Sequence, residues 1–140
     1  EDKHALIIID DQSLFVENAG QETIDHIHRL IDSKTYDLII STIFVNSLGS
    51  KYEKALNYSG GTNSFLQTLS SENVTKVTIV GIDTDGCVLA TAFKCFDADI
   101  ETFIDLAGCT STGGKRLDTA ARLIMKRSFG QSHLLNYEHD

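Results

Sequence analysis

Ala5-Leu6-Ile7-Ile8-Ile9 is apolar without a break and stops against two acids, Asp10 and Asp11. A strand with one wet face alternates apolar and polar side chains, so an unbroken run needs cover on both faces. Such a strand belongs at the centre of a parallel sheet with helices above and below it. The rest of the chain keeps that rhythm. Gln21 to Ser33 places Ile24, Ile27, Leu30 and Ile31 at helical spacing, and Tyr36 to Thr42 reads as a second strand. Asn63 to Glu72 carries Phe65, Leu66 and Leu69, a short helix, followed by a third strand over Lys76 to Gly81. Val88 to Asp97 reads as a helix, Asp99 to Asp105 as a strand and Arg116 to Phe129 as a helix, with His133 to Tyr137 as a last edge strand. Alternation of this kind predicts an α/β fold with right-handed crossovers. Function in such sheets lies at the carboxyl ends of the strands. Those ends carry Asp10 and Asp11, then Ser41 to Phe44, Asp83 to Cys87, and Asp105 to Thr112.

A length of 140 residues fits a single domain over 1–140. The net charge of −8 argues against nucleic acid or an anionic membrane as partner. No apolar run is long enough to cross a bilayer, and Ala5 to Ile9 is too short for the apolar core of a signal peptide. The three cysteines, Cys87, Cys95 and Cys109, show no C-x-x-C pairing. An odd number without metal spacing reads as reduced thiols in a cytoplasm.

One of those thiols is placed for chemistry. Val77-Thr78-Ile79-Val80 leads into Gly81-Ile82-Asp83-Thr84-Asp85-Gly86-Cys87, and an amphipathic run follows. Strand, sharp turn and helix put Cys87 at a helix start, where unpaired N–H groups and the helix dipole favour thiolate. The placement is that of a nucleophile elbow with sulfur in place of oxygen. An inert, buried cysteine beside a tight turn is the plain alternative. Asp10, at another strand end, is a general base beside that nucleophile or else a helix cap or cation ligand. Cys95, farther along the same helix, reads as core, and Cys109 as core or as part of the rim of the cleft. Gly113-Gly114 before Lys115-Arg116 reads as a turn or an anion-binding helix start.

Leu6-Ile7-Ile8-Ile9-Asp10-Asp11-Gln12 resembles the "LLVID-x-Q" opening of the isochorismatase-like cysteine hydrolases, and Gly81 to Ala92 resembles their "G-x-x-T-D-x-C-V-x-x-T-A" segment. Phe96 to Ile100 is similar to the "F-D-x-G-y" that follows, and Asp105 to Ser111 to the "D-x-c-a-s" at the next strand end. The resemblance implies a three-layer α/β/α sandwich around a parallel, Rossmann-like sheet. Five strands are legible in the sequence and the family has six. It implies Cys87 as nucleophile and Asp10 as the carboxylate that takes the thiol proton and returns it to a leaving amine. It implies a thioester intermediate, a cis peptide at Ile82–Asp83, and an oxyanion hole from the backbone N–H groups of Asp83 and Cys87. Thr84 then holds the turn rather than reacting. The implied substrate is a small amide or carbamoyl compound cut at a C–N bond, with no cofactor, in a homo-oligomer.

Two departures from the family stand out. Its third catalytic residue is a lysine ahead of a "Y-S-x-F" segment. Here Lys54 lies four residues before Tyr58-Ser59, which is not the usual spacing. Either Lys54 serves, or it is an ordinary surface lysine and the catalytic one is deleted or missing between Gly60 and Gly61. The nicotinamidases of the family also carry an aspartate–histidine–histidine zinc site. Here His26 and His28 point to different faces of a helix, and His4, His133 and His139 are scattered, so no metal site is expected. A catalytically dead member acting as a binding protein is the alternative reading. A phospho-receiver is more remote: Asp10-Asp11 resembles its acidic pair, but Ser41-Thr42 stands where the phospho-accepting aspartate is required.

Overall fold

The computed structural model describes residues 1–9, 20–42 and 63–138. Asp10, Lys54 and the Gly60–Gly61 junction lie outside the described residues. The elements in order are β1 (Lys3–Ile9), α1 (Gln21–Asp32), β2 (Leu38–Thr42), α2 (Asn63–Ser71), β3 (Val74–Ile82), a π-helical turn (Thr84–Val88), α3 (Leu89–Asp97), β4 (Glu101–Thr110), α4 (Lys115–Phe129), a 3-10 turn (Gln131–His133) and β5 (Leu134–Leu135). Among the described residues the sheet has five strands in the order β2-β1-β3-β4-β5, and every pairing is parallel. The fold is therefore the α/β class read from the strand–helix rhythm.

The unbroken run in β1 is explained by cover on both faces. Leu6 and Ile8 pack with Val80 of β3 against Ile27 of α1, backed by Leu30 and Ile31. Ala5, Ile7 and Ile9 turn the other way and join Val77, Ile79, Ile104 and Leu106 under the other three helices. Phe65 and Leu69 come to that layer from α2, Ala92 and Cys95 from α3, and Met125 and Phe129 from α4. The result is a three-layer sandwich with, among the described residues, one α-helix on one side and three on the other.

The sheet changes direction of growth at its centre. From β1 the chain crosses to β2 on one side, and from β2 it returns past β1 to β3 on the other. The crevice above the β1–β3 boundary is the place where an open α/β sheet binds ligands. Ile9 pairs with Gly81 there. Gly81 has φ +126°, and a Cβ on it would sit 1.8 Å from the Ile9 carbonyl oxygen. Only glycine permits that approach.

β4 runs farther than its sequence pattern suggests. The expected strand ended at Asp105, but the ladder continues to Thr110 through an irregularity. Ile79 pairs with Ile104 and Gly81 with Cys109, so Val80 alone stands against Asp105 to Gly108. Such a bulge re-aims side chains locally. Gly108 within it faces the side chain of Val80, which a Cβ would meet at 2.6 Å.

Candidate active site

β3 delivers the chain to the sheet's carboxyl edge, and the peptide bond Ile82–Asp83 is cis, as the resemblance implies. Asp83 is extended, with φ −84° and ψ 146°, and the next residues wind into the π-helical turn. The Asp83 carbonyl accepts hydrogen bonds from Gly86 N–H at 3.0 Å and Val88 N–H at 3.1 Å. Gly86 breaks the helical dihedrals inside this turn, with φ −122° and ψ −105°. Cys87 therefore stands in a turn directly between β3 and α3, the position expected from the sequence, and is 7% exposed. Thr84 is fully buried, and among the described residues its hydroxyl has no hydrogen-bond partner.

The other two thiols differ. Cys95 lies inside the helical layer of the core, and burial pushes its pKa up to about 12. Cys109 sits in β4 with its thiol donating to the Asp105 carbonyl at 3.4 Å. Burial pushes it to about 12 as well, against the opposing pull of Arg122. Both are structural at neutral pH.

The loop after β4 reaches across to the turn. Thr112 donates its backbone N–H to Asp83 Oδ1 at 2.7 Å and its hydroxyl to Asp83 Oδ2 at 3.0 Å. Ser111 donates its hydroxyl to Asp85 Oδ1 at 2.5 Å and accepts Gly113 N–H at 3.0 Å. From the sequence, Asp83 has a backbone role only, and Ser111 and Thr112 have none. The partners are separated by 29 and 26 positions, and no local pattern marks them.

Asp105, read as a strand-end residue, is instead buried within β4. Its carboxylate meets His26 Nε2 of α1 at 2.8 Å, accepts Asn136 Nδ2 at 2.8 Å and accepts Ala107 N–H at 3.3 Å. His26 is thus committed to a carboxylate across the sheet. Among the described residues no group of three or more His, Cys, Asp and Glu is disposed to hold a metal ion. Beside this cluster a cleft of about 480 Å³ opens, lined by His26, Arg29, Leu106, Cys109, Arg122 and Asn136 among others. None of Asp83 to Cys87 lines it. Arg122 closes one wall, bonded to Asp118 at 2.7 Å and to the Leu106 and Cys109 carbonyls at 3.2 Å each.

Comparison with known proteins agrees with this architecture. The chain matches the family model described as the Isochorismatase domain over residues 51–132, more than half its length. No curated protein matches. Among solved structures, the nicotinamidase SaPncA from Staphylococcus aureus is similar, with a TM-score of 0.72 at 24% identity, over 93% of this chain and 97% of that one. The nicotinamidase/pyrazinamidase PncA from Bacillus subtilis gives 0.69 at 17% identity, over 96% of this chain and 100% of that one. YcaC from Escherichia coli, described as an octameric hydrolase of unknown specificity, gives 0.69 at 15% identity, over 95% of this chain and 74% of that one. These similarities carry the fold, and the model match, which spans the turn with Cys87 and the loop that grips it, carries the family. Neither leaves room for the phospho-receiver reading: the chain belongs to the isochorismatase-like hydrolase family.

Proposed function

We propose that this family member is a cysteine hydrolase that cuts a C–N bond in a small amide or carbamoyl compound through a thioester on Cys87. The observation that carries the reading is the seat of Cys87, in a tight turn between β3 and α3 at the carboxyl edge of the sheet. The turn lies at the switch point, where Ile9 and Gly81 are in register and Asp10 is the next residue of the chain. In this reading Asp10 takes the thiol proton, the sulfur attacks the carbonyl carbon, and the N–H groups of Asp83 and Cys87 stabilise the oxyanion. The proton then passes to the leaving amine, and water cleaves the thioester. Lys54, or a lysine elsewhere, supplies the positive charge that lets a thiolate and a carboxylate share one site.

The unit proposed is a single domain over 1–140. The description of YcaC as octameric supports self-association of this chain too. Its three cysteines form no disulfide, which suits a reducing compartment such as the cytoplasm.

Limiting iodoacetamide at neutral pH, followed by peptide mapping, tests the thiol assignment. Cys87 is labelled first, while Cys95 and Cys109 stay unmodified in the folded protein. Release of ammonia from a panel of small amides and N-carbamoyl compounds tests the reaction, and Cys87→Ala abolishes it. Preferential labelling of Cys95 or Cys109 overturns the nucleophile. Labelled Cys87 with no turnover of any panel member favours the inactive binding protein.

A further inference from the structure

The turn that holds Cys87 is gripped from outside itself. Asp83 is 4% exposed, and its carboxylate is not used by the turn: both oxygens are turned to Thr112, one to its N–H and one to its hydroxyl. The carbonyl of the same residue is committed inward, to Gly86 and Val88. Asp83 is thus fixed at the side chain by the β4–α4 loop and at the main chain by the turn. The second tie, from Ser111 to Asp85, holds the same loop to the same turn two residues on. A buried carboxylate is costly unless donors satisfy it, so Asp at this position makes sense only with its partner.

We propose that Thr112 and Asp83 form a positioning pair: the two hydrogen bonds from Thr112 hold the Asp83 main chain so that its N–H is aimed where an oxyanion develops. The inference rests on the thioester reading of Cys87. Thr112 touches no reacting atom in it and acts through Asp83. A donor held from two sides needs no rearrangement as charge develops, which is the condition for effective oxyanion stabilisation.

The test compares two reactions of one sulfur. With p-nitrophenyl acetate, Cys87 sulfur forms a bond to the carbonyl carbon, the ester C–O bond breaks, and its electron pair leaves on 4-nitrophenolate. This acylation passes through an oxyanion. Alkylation by iodoacetamide displaces iodide from a saturated carbon and does not. Thr112→Val removes the hydroxyl donor and keeps the N–H. It lowers the Cys87 acylation rate about tenfold, a part of the roughly 10²–10³ that loss of a whole oxyanion donor costs. It leaves the alkylation rate within about twofold, and Thr112→Ser, which restores the hydroxyl, restores acylation. Asp83→Ala, which removes the acceptor of both hydrogen bonds, is at least as slow to acylate. Equal acylation by wild type and Thr112→Val overturns the pair. So does a parallel fall in acylation and alkylation, which marks general loosening of the turn. If the Asp83 variant does not fold, the Thr112 series decides alone. Absence of Cys87 acylation in the wild type is a different result: it removes the thioester reading, and the positioning role with it.

Discussion

Burial holds Cys95 and Cys109 as thiols well above neutral pH. Cys95 and Cys109 are pushed from 9.0 to about 12, chiefly because a thiolate there would be desolvated. The unfolded chain then loses these protons first as pH rises. Stability is fully present below the unfolded value of about 9 and is lost between there and about 12. Denaturant midpoints should be flat from neutral pH to about 8.5 and fall beyond about 9, and the Cys95→Ala/Cys109→Ala double variant should lose much of that slope. Tyr36, also desolvated, contributes in the same sense above its ordinary 10.0 and remains in both proteins. A midpoint with the same alkaline slope in the double variant would show that these thiols are not the titrating groups. The position of Cys87 was readable because strand, turn and helix are contiguous. The partners of Asp83 and His26 were not: Thr112 lies 29 residues away and Asp105 lies 79 residues away. Only the strand order brings them together.

At the scale of elements, the β1–β3 contact depends on the absence of one side chain. Gly81→Ala places a methyl on the Ile9 carbonyl and forces a non-glycine residue to φ +126°. Overpacking and backbone strain each cost about 1–3 kcal/mol, and here they act together. The variant should lose at least about 3 kcal/mol or fail to accumulate in folded form, as thermal unfolding and soluble yield will show. An unfolding midpoint within a few degrees of wild type would mean that β1 and β3 can separate at no great cost. The elements themselves were largely legible. The unbroken β-branched runs of β1 and β3 and the apolar stripes of α1 and α4 match their observed spans within two residues at each end. The sequence pattern of β4 ends early because Asp105-Leu106-Ala107-Gly108 mixes a charge, a glycine and a poor strand former. Its pairing resumes at Cys109 because Gly81 across the ladder is in register again, which is a tertiary fact.

For the whole molecule, strand order matters more than any element. The sequence rhythm implied a parallel sheet with a switch point. The order β2-β1-β3-β4-β5 locates it between β1 and β3, where the turn with Cys87 begins. Among the described residues, β4 has a short partner on its outer side. β5 pairs only with Ile104 and Asp105, although β4 runs to Thr110. Beyond that point the Arg122 guanidinium takes the Leu106 and Cys109 carbonyls at 3.2 Å each. Among the described residues, one side chain thus takes carbonyls of β4 past the end of β5. An uncovered strand edge is a template for another chain, and charged groups placed on it are a defence against edge-to-edge assembly. This placement predicts that Arg122 guards the edge against aggregation as well as forming a wall of the cleft. Arg122→Ala should fold and yet gain light scattering and thioflavin binding with concentration and time, while a wild type held at the same concentration stays clear. If the variant remains as dispersed as the wild type, the edge is protected by something other than this arginine.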